Sequence, residues 1–145
     1  MYNYTNSPWK TQRAVDKILR EEYSDGPGGL SGQDDAGQVS AWCVFGMLGI
    51  YPVDPVSGEY MLTSPALNHA IISLPGKRQL EIIAHKKNLD DIYISSVRLN
   101  GKLYIKSYIT HQVLAKGGKL EFWLQASPNK SWGVKPAYQP GSNLN

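Results

Sequence analysis

The chain has 145 residues, with 15 Lys and Arg against 12 Asp and Glu and a single cysteine, Cys43. That length predicts one domain, or one domain with a small companion, and a composition of 41% hydrophobic and 19% charged residues is that of a folded chain rather than a disordered one. One cysteine excludes an internal disulfide framework and a cysteine-rich zinc site, no apolar run reaches the roughly 18 residues of a membrane span, and MYNYTNSPWK has neither the basic nor the apolar region of a signal peptide.

Charge is unevenly divided. Residues 1–60 carry four basic against eight acidic side chains, and residues 61–145 carry eleven against four. The basic residues of the second part stand singly along alternating segments, which reads as a solvated sheet face rather than a nucleic-acid surface.

The first predicted element is a helix over 8–23. Ser7 stands at its N-cap and Pro8 at its first position, where a missing N–H costs nothing. Val15, Ile18 and Leu19 then recur at helical spacing, with Arg13, Lys17 and Arg20 on the wet side. Ser24–Gly32 holds four glycines and one proline in nine residues, so it is a loop, with Asp25 as a turn residue.

A second helix is predicted over about 35–48. Ala36, Val39, Ala41, Trp42, Cys43, Val44, Phe45, Met47 and Leu48 leave it almost no polar face, and a helix apolar nearly all round is normally buried on several sides. Gly49 suits its C-cap, and Pro52 and Pro55 prevent its continuing. Two helices cannot surround such a helix, so the chain lacks packing partners for it.

Beyond residue 58 the period changes to two. Strands are predicted around 60–62, 70–74, 80–84, 92–99, 103–105 and 120–124. Pro75-Gly76 is a turn, and Asn100-Gly101 is the strongest two-residue hairpin signal in the chain. Thr110–Lys116 is a helical turn stopped by Gly117. The tail from Ser127, with Pro128, Pro136, Pro140 and Gly141, is expected to be loosely ordered. The expected class is α+β: a helical segment at 1–55, a small antiparallel sheet or sandwich at 56–127, and a tail at 128–145.

The densest polar cluster is Gly32-Gln33-Asp34-Asp35-Ala36-Gly37-Gln38, between the loop and the apolar helix. Unpaired N–H groups at a helix start stabilise an ionised carboxylate, and such a carboxylate can act as a general base or hold a cation. The simpler reading is that Asp34 or Asp35 caps the helix, although two adjacent carboxylates exceed what one cap needs. His69, His85 and His111 show no metal-ligand spacing. Cys43 reads as an inert core thiol. Trp123 and Trp132 are candidates to stack on a sugar ring.

These residues carry a resemblance. Residues 2–65 resemble the end of the catalytic domain of glycoside hydrolase family 92, the calcium-dependent exo-α-mannosidases. The matching stretches include Tyr2-Asn3-Tyr4, Pro8-Trp9-Lys10-Thr11-Gln12, Tyr23-Ser24-Asp25-Gly26-Pro27, Asp34-Asp35-Ala36-Gly37-Gln38, Ser40-Ala41-Trp42 and Leu48-Gly49-Ile50-Tyr51-Pro52-Val53. Ser57-Gly58-Glu59-Tyr60, Leu99-Asn100-Gly101 and Lys106-Ser107-Tyr108-Ile109-Thr110-His111 extend it.

The resemblance implies an N-terminal β-sandwich followed by an (α/α)6 barrel, of which this chain holds the last helices and the terminal strands, with helix 35–48 as an inner barrel helix. The family has a Leu before the Tyr-Asn-Tyr motif within a continuous segment, so Met1 is expected to be an internal cut. The implied reaction is hydrolysis of terminal α-mannosides with inversion, which uses one acid and one base carboxyl group. Asp35 matches the general base, Asp34 the neighbouring acidic position, and Gln33 and Gln38 flank them at substrate-binding positions. Relatives often have Asn or Asp where Gln33 stands. The general acid and the calcium ligands lie upstream in the family, so the chain alone is expected to be inactive and to bind calcium weakly at most. Relatives are typically exported. The rival readings are a carbohydrate-binding or interaction module built on Trp123 and Trp132, and a fragment that self-associates through the exposed side of helix 35–48. No nucleic-acid or membrane partner is expected.

Overall fold

The computed structural model describes residues 1–141. Two helices lead, α1 (Pro8–Glu21) and α2 (Gln38–Leu48), followed by strands β1 (Ile50–Asp54), β2 (Glu59–Leu62), β3 (His69–Leu74), β4 (Arg78–His85), β5 (Tyr93–Leu99), β6 (Lys102–Tyr104) and β7 (Tyr108–Thr110). A one-turn helix α3 (His111–Leu114) and strand β8 (Gly118–Gln125) complete the regular elements, apart from short 3-10 turns. The class is α+β, as the change of period indicates.

The strands form two sheets, β1-β2-β7 and β3-β4-β8-β5-β6. All pairs are antiparallel except β4 with β8, which run parallel, so the larger sheet is mixed rather than purely antiparallel. Period-two patterning buries one face of β4 and of β8. Leu80, Ile82, Val97, Leu120 and Phe122 from the larger sheet meet Ile50, Leu62 and Ile109 from the smaller one in a single core. The Asn100-Gly101 turn adopts positive φ at both residues, 51° and 78°, the geometry a tight β5–β6 hairpin requires.

Two strands have no period-two signal. β1 contains Pro52, which suits its edge position and the register shift between Tyr51 and Asp54. β7 is only three residues long. The helical segment therefore ends at Leu48 rather than near 55, and Gly49, at φ 76°, caps it. A Cβ on Gly49 would lie 2.7 Å from the Pro65 ring, so this close turn takes no side chain.

α1 is fastened to the sheets by buried polar groups. Gln12 Oε1 accepts the Ile94 N–H at 3.0 Å. Just before the helix, Asn3 Nδ2 donates to the Leu62 carbonyl at 3.1 Å and to the Ser107 carbonyl at 2.9 Å. Each bond ties residues 1–12 to a segment far along the chain. Helix α2 crosses α1 at Gly46, where Val15 and Leu19 come close enough that an added Cβ would stand 3.4 Å from Leu19.

The tail corrects the expectation of loose order as far as it is described. Trp132 is 8% exposed and belongs to the central core. The Ser107 amide donates to the Tyr138 carbonyl at 2.8 Å, and the Gly141 amide donates to Glu59 Oε2 at 2.7 Å. Proline and glycine here shape turns that bring one large aromatic inward. Residues 142–145 lie outside the described part.

Candidate functional site

The polar cluster folds as a bent turn before α2. Asp35–Gly37 forms a 3-10 turn, and α2 begins only at Gln38, three residues later than the apolar pattern suggests. Ala36 has φ 55° and Gly37 φ 73°, two successive left-handed residues. A non-glycine residue at positive φ is uncommon and costs conformational energy, and such residues concentrate where the chain must hold a particular shape. Here the reversal keeps Asp35 outside the helix.

The two carboxylates are used differently. Asp34 Oδ1 accepts the Ser40 amide at 3.0 Å, and its Oδ2 accepts the Ser40 hydroxyl. Asp34 thus caps the first turn of α2 from six residues away. The Ser40 hydroxyl, and then the Ser40 amide, holds its carboxyl below the usual carboxylate range. Asp35 is exposed and makes no side-chain hydrogen bond among the described residues. The capping reading therefore holds for Asp34 and leaves Asp35 without a structural duty.

Gln33 is exposed on the loop, and Gln38 is exposed at the first position of α2. Gln38 lines a cleft of about 290 Å³ with Tyr23, Val39 and Trp42, whereas neither Asp34 nor Asp35 lines it. Tyr23 and Trp42 stack with ring centroids 5.7 Å apart, and the Tyr23 hydroxyl donates to the Val39 carbonyl at 3.1 Å. These contacts fix the loop to α2. The role of Tyr23 had no signal in the sequence, because nothing local distinguishes a stacked tyrosine from a helix-end one.

A pH test isolates the Asp34 contact. A carboxyl whose pKa is lower folded than unfolded contributes stability above the unfolded value and loses it as pH falls through the folded one. Unfolding midpoints should therefore decline on acidification below about pH 4, and Asp34→Asn should flatten that decline. Glu81, lowered mainly by its bond to Lys119 and then by His69, leaves a remainder in the same window. An acid limb unchanged in Asp34→Asn would mean that Ser40 does not hold the carboxylate in solution.

The tryptophans do not form a surface platform. Trp132 is in the core, with its Nε1 buried and unpaired. The Trp123 ring is stacked with His85 at 4.5 Å and lies under the Arg98 guanidinium at 5.1 Å. A module reading built on these two rings loses Trp132, while Trp123 is half-buried on the sheet. The histidines sit on side-chain partners: His69 on Glu81 at 3.0 Å, His85 on Glu121 at 3.3 Å, and His111 on the Tyr60 hydroxyl at 3.3 Å. Cys43 is half-buried, and burial pushes its thiol up.

Comparison with known proteins adds the following. Residues 1–126 match the model of the glycosyl hydrolase family 92 catalytic domain. A curated relative from Arthroderma benhamiae, described as an uncharacterized secreted glycosidase, is 28% identical over 137 residues, covering 92% of this chain and 18% of its own length. A family 92 α-mannosidase from Bacteroides thetaiotaomicron, solved alone and with mannoimidazole, superposes with a TM-score of 0.93 at 35% identity, over 98% of this chain and 19% of that one. A family 92 inverting mannosidase from the same organism gives 0.89 at 36% identity, over 96% of this chain and 19% of that one. The chain thus spans about a fifth of the length of these relatives.

Proposed function

The chain belongs to glycosyl hydrolase family 92, and from that premise we propose that it carries the general-base side of a centre that hydrolyses terminal α-mannosides with inversion. The observation that supports this reading is the division between the two carboxylates. Asp34 is committed to Ser40, while Asp35 projects free from a strained turn. In the proposed step the Asp35 carboxylate takes a proton from water. The water oxygen bonds to the anomeric carbon from the face opposite the aglycone, the glycosidic C–O bond breaks, and the leaving oxygen takes a proton from a separate acid. Asp34 acts as a positioning residue, fixing the turn that aims Asp35, and Gln33 and Gln38, both exposed, are the side chains assigned to contact the sugar.

The acid is the missing half. Inversion needs a second carboxyl about 6.5–9.5 Å from the first, leaving room for the water. Asp34 is its neighbour in sequence and is already occupied. Calcium, which the family implies, finds no cage here. Among the described residues no group of three or more His, Cys, Asp or Glu side chains comes together to hold a metal ion. These residues do not fit the ion, and no step is routed through it. The 145-residue chain by itself is therefore proposed to be inactive, the activity belonging to a longer polypeptide that is exported, as the secreted Arthroderma relative suggests.

The purified chain, assayed on an aryl α-mannoside with calcium, should give no turnover above the uncatalysed rate. Clear turnover abolished by Asp35→Asn would refute the proposed inactivity and leave the base assignment standing.

Helix α2 supports a second property, self-association of the isolated chain. Only Gly46 in α2 is buried, and Val44 is 56% exposed on a helix with no polar face. Apolar surface of more than a few hundred Å² seldom stays uncovered. Sizing at rising concentration should show a dimer or larger species that Val44→Glu returns to monomer. A wild-type profile that stays monomeric would sink this proposal.

A further inference from the structure

Along α1, Lys10, Arg13 and Lys17 recur at spacings of three and four, which places them on one face. Their rise along the axis is about 4.5 Å and then about 6 Å. With Tyr2, Trp9 and Ala14 they line a cleft of about 390 Å³ that has no carboxylate in its wall. Lys10 Nζ stands 5.7 Å from the Tyr2 ring centre and 5.4 Å from that of Trp9. Lys130, from the far end of the chain, reaches 5.7 Å from the same Trp9 ring.

Folding therefore sets Lys10 and Lys130, from two distant segments, against one indole, beside Arg13 and Lys17 of the same cleft. An aromatic face attracts an ammonium only weakly at an exposed site and cancels no charge. The neutralising partners are few. Lys17 has an exposed i,i+4 contact with Glu21 at 3.6 Å, and Arg13 makes no ion pair among the described residues.

We propose that this cleft binds a short acidic saccharide, a run of sugar rings bearing carboxylates. Lys10, Arg13 and Lys17 pair with successive carboxylates, Lys130 adds to the field, and the Trp9 and Tyr2 rings wall the apolar faces of the sugars. The axial spacing of the cations is on the scale of one sugar ring. The patch is too short to track a nucleic-acid strand, since the remaining basic residues are dispersed. The cleft stands independently of the Asp35 reading, because none of residues 33–38 lines it.

The test is calorimetric titration of the intact chain with trigalacturonate at low salt, beside neutral mannotriose and a thymidine oligonucleotide of equal charge. Trigalacturonate should bind, more weakly as salt rises, and mannotriose should not. Lys10→Gln with Arg13→Gln should weaken binding about tenfold or more, while Lys77→Gln with Lys102→Gln should stay within about twofold. Absence of heat with trigalacturonate, or equal loss in both double variants, would overturn the proposal. Equal affinity for the oligonucleotide would reduce the cleft to a general polyanion patch and overturn the saccharide assignment. Should the first double variant fail to fold, amide and indole shifts in the wild-type chain decide. They should centre on Trp9 and residues 10–17, and shifts centred elsewhere would sink the idea.

Discussion

Asp35→Asn is expected to lower kcat by about 10²–10⁴ in a hybrid in which this chain replaces the matching fifth of the Bacteroides α-mannosidase. The replacement is reasonable because the two superpose over 98% of this chain with a TM-score of 0.93. Asparagine keeps the shape of the side chain and removes the proton acceptor, so KM should change little while kcat falls. Asp34→Asn should fall less, because it loosens the turn through Ser40 without touching the water. It should also flatten the acid-dependent loss of stability described above. The pair of readouts separates a base from a positioning residue. A hybrid in which Asp35→Asn retains near-parental kcat while Asp34→Asn abolishes it would reverse the assignment. An inactive wild-type hybrid would be uninformative about either carboxylate, so mannoside binding is measured first.

The largest stability effect is expected at Trp132. Truncation to alanine should cost about 3–5 kcal/mol, the range for emptying a large aromatic site in a core. Trp132 joins the same core as Phe122, Leu120 and Ile94, although it lies in a stretch rich in turn residues. Trp132→Phe provides the contrast. It keeps most of the apolar body and deletes an N–H that is buried without a partner, so its cost should stay below about 1.5 kcal/mol. Urea unfolding of the three proteins decides the matter. Equal midpoints for wild type and Trp132→Ala would mean that residues 127–141 contribute nothing to the fold. A Trp132→Phe variant as unstable as the alanine variant would mean that the indole N–H does have a partner.

Much of this molecule is local, and local features are legible. Pro8 at a helix start, Gly49 at a helix end, Asn100-Gly101 at a hairpin and the alternation of Leu80, Ile82 and Ala84 each fix φ, ψ or facing within a few residues. Helix α2 was legible in a further sense, because its lack of a polar face shows in the sequence. The short strands were not. β1 contains a proline, and β7 has three residues. Each exists because β2 lies between them and pairs with both. A strand of that kind is created by its partner's hydrogen bonds, and no window of its own sequence contains them.

The candidate site divides along the same line. That two carboxylates stand at the start of an apolar helix, and which known family carries that pattern, is visible in the order of the residues alone. Which of the two is free follows from the backbone shape of residues 34–40, which composition and hydrophobic period do not give. Asp34 is taken by Ser40 because Ala36 and Gly37 turn back in the left-handed region and bring the carboxylate over the first turn of α2. Asp35 is left over for the same reason. Lys10, Arg13 and Lys17 share one helix face by their spacing alone, whereas folding is needed to bring Lys130 to Trp9. Hydrophobic period and turn chemistry are properties of neighbours along the chain. A charge gathered from far along the chain, as Lys130 against Trp9, depends on which distant residues meet, and that is settled only when the chain packs.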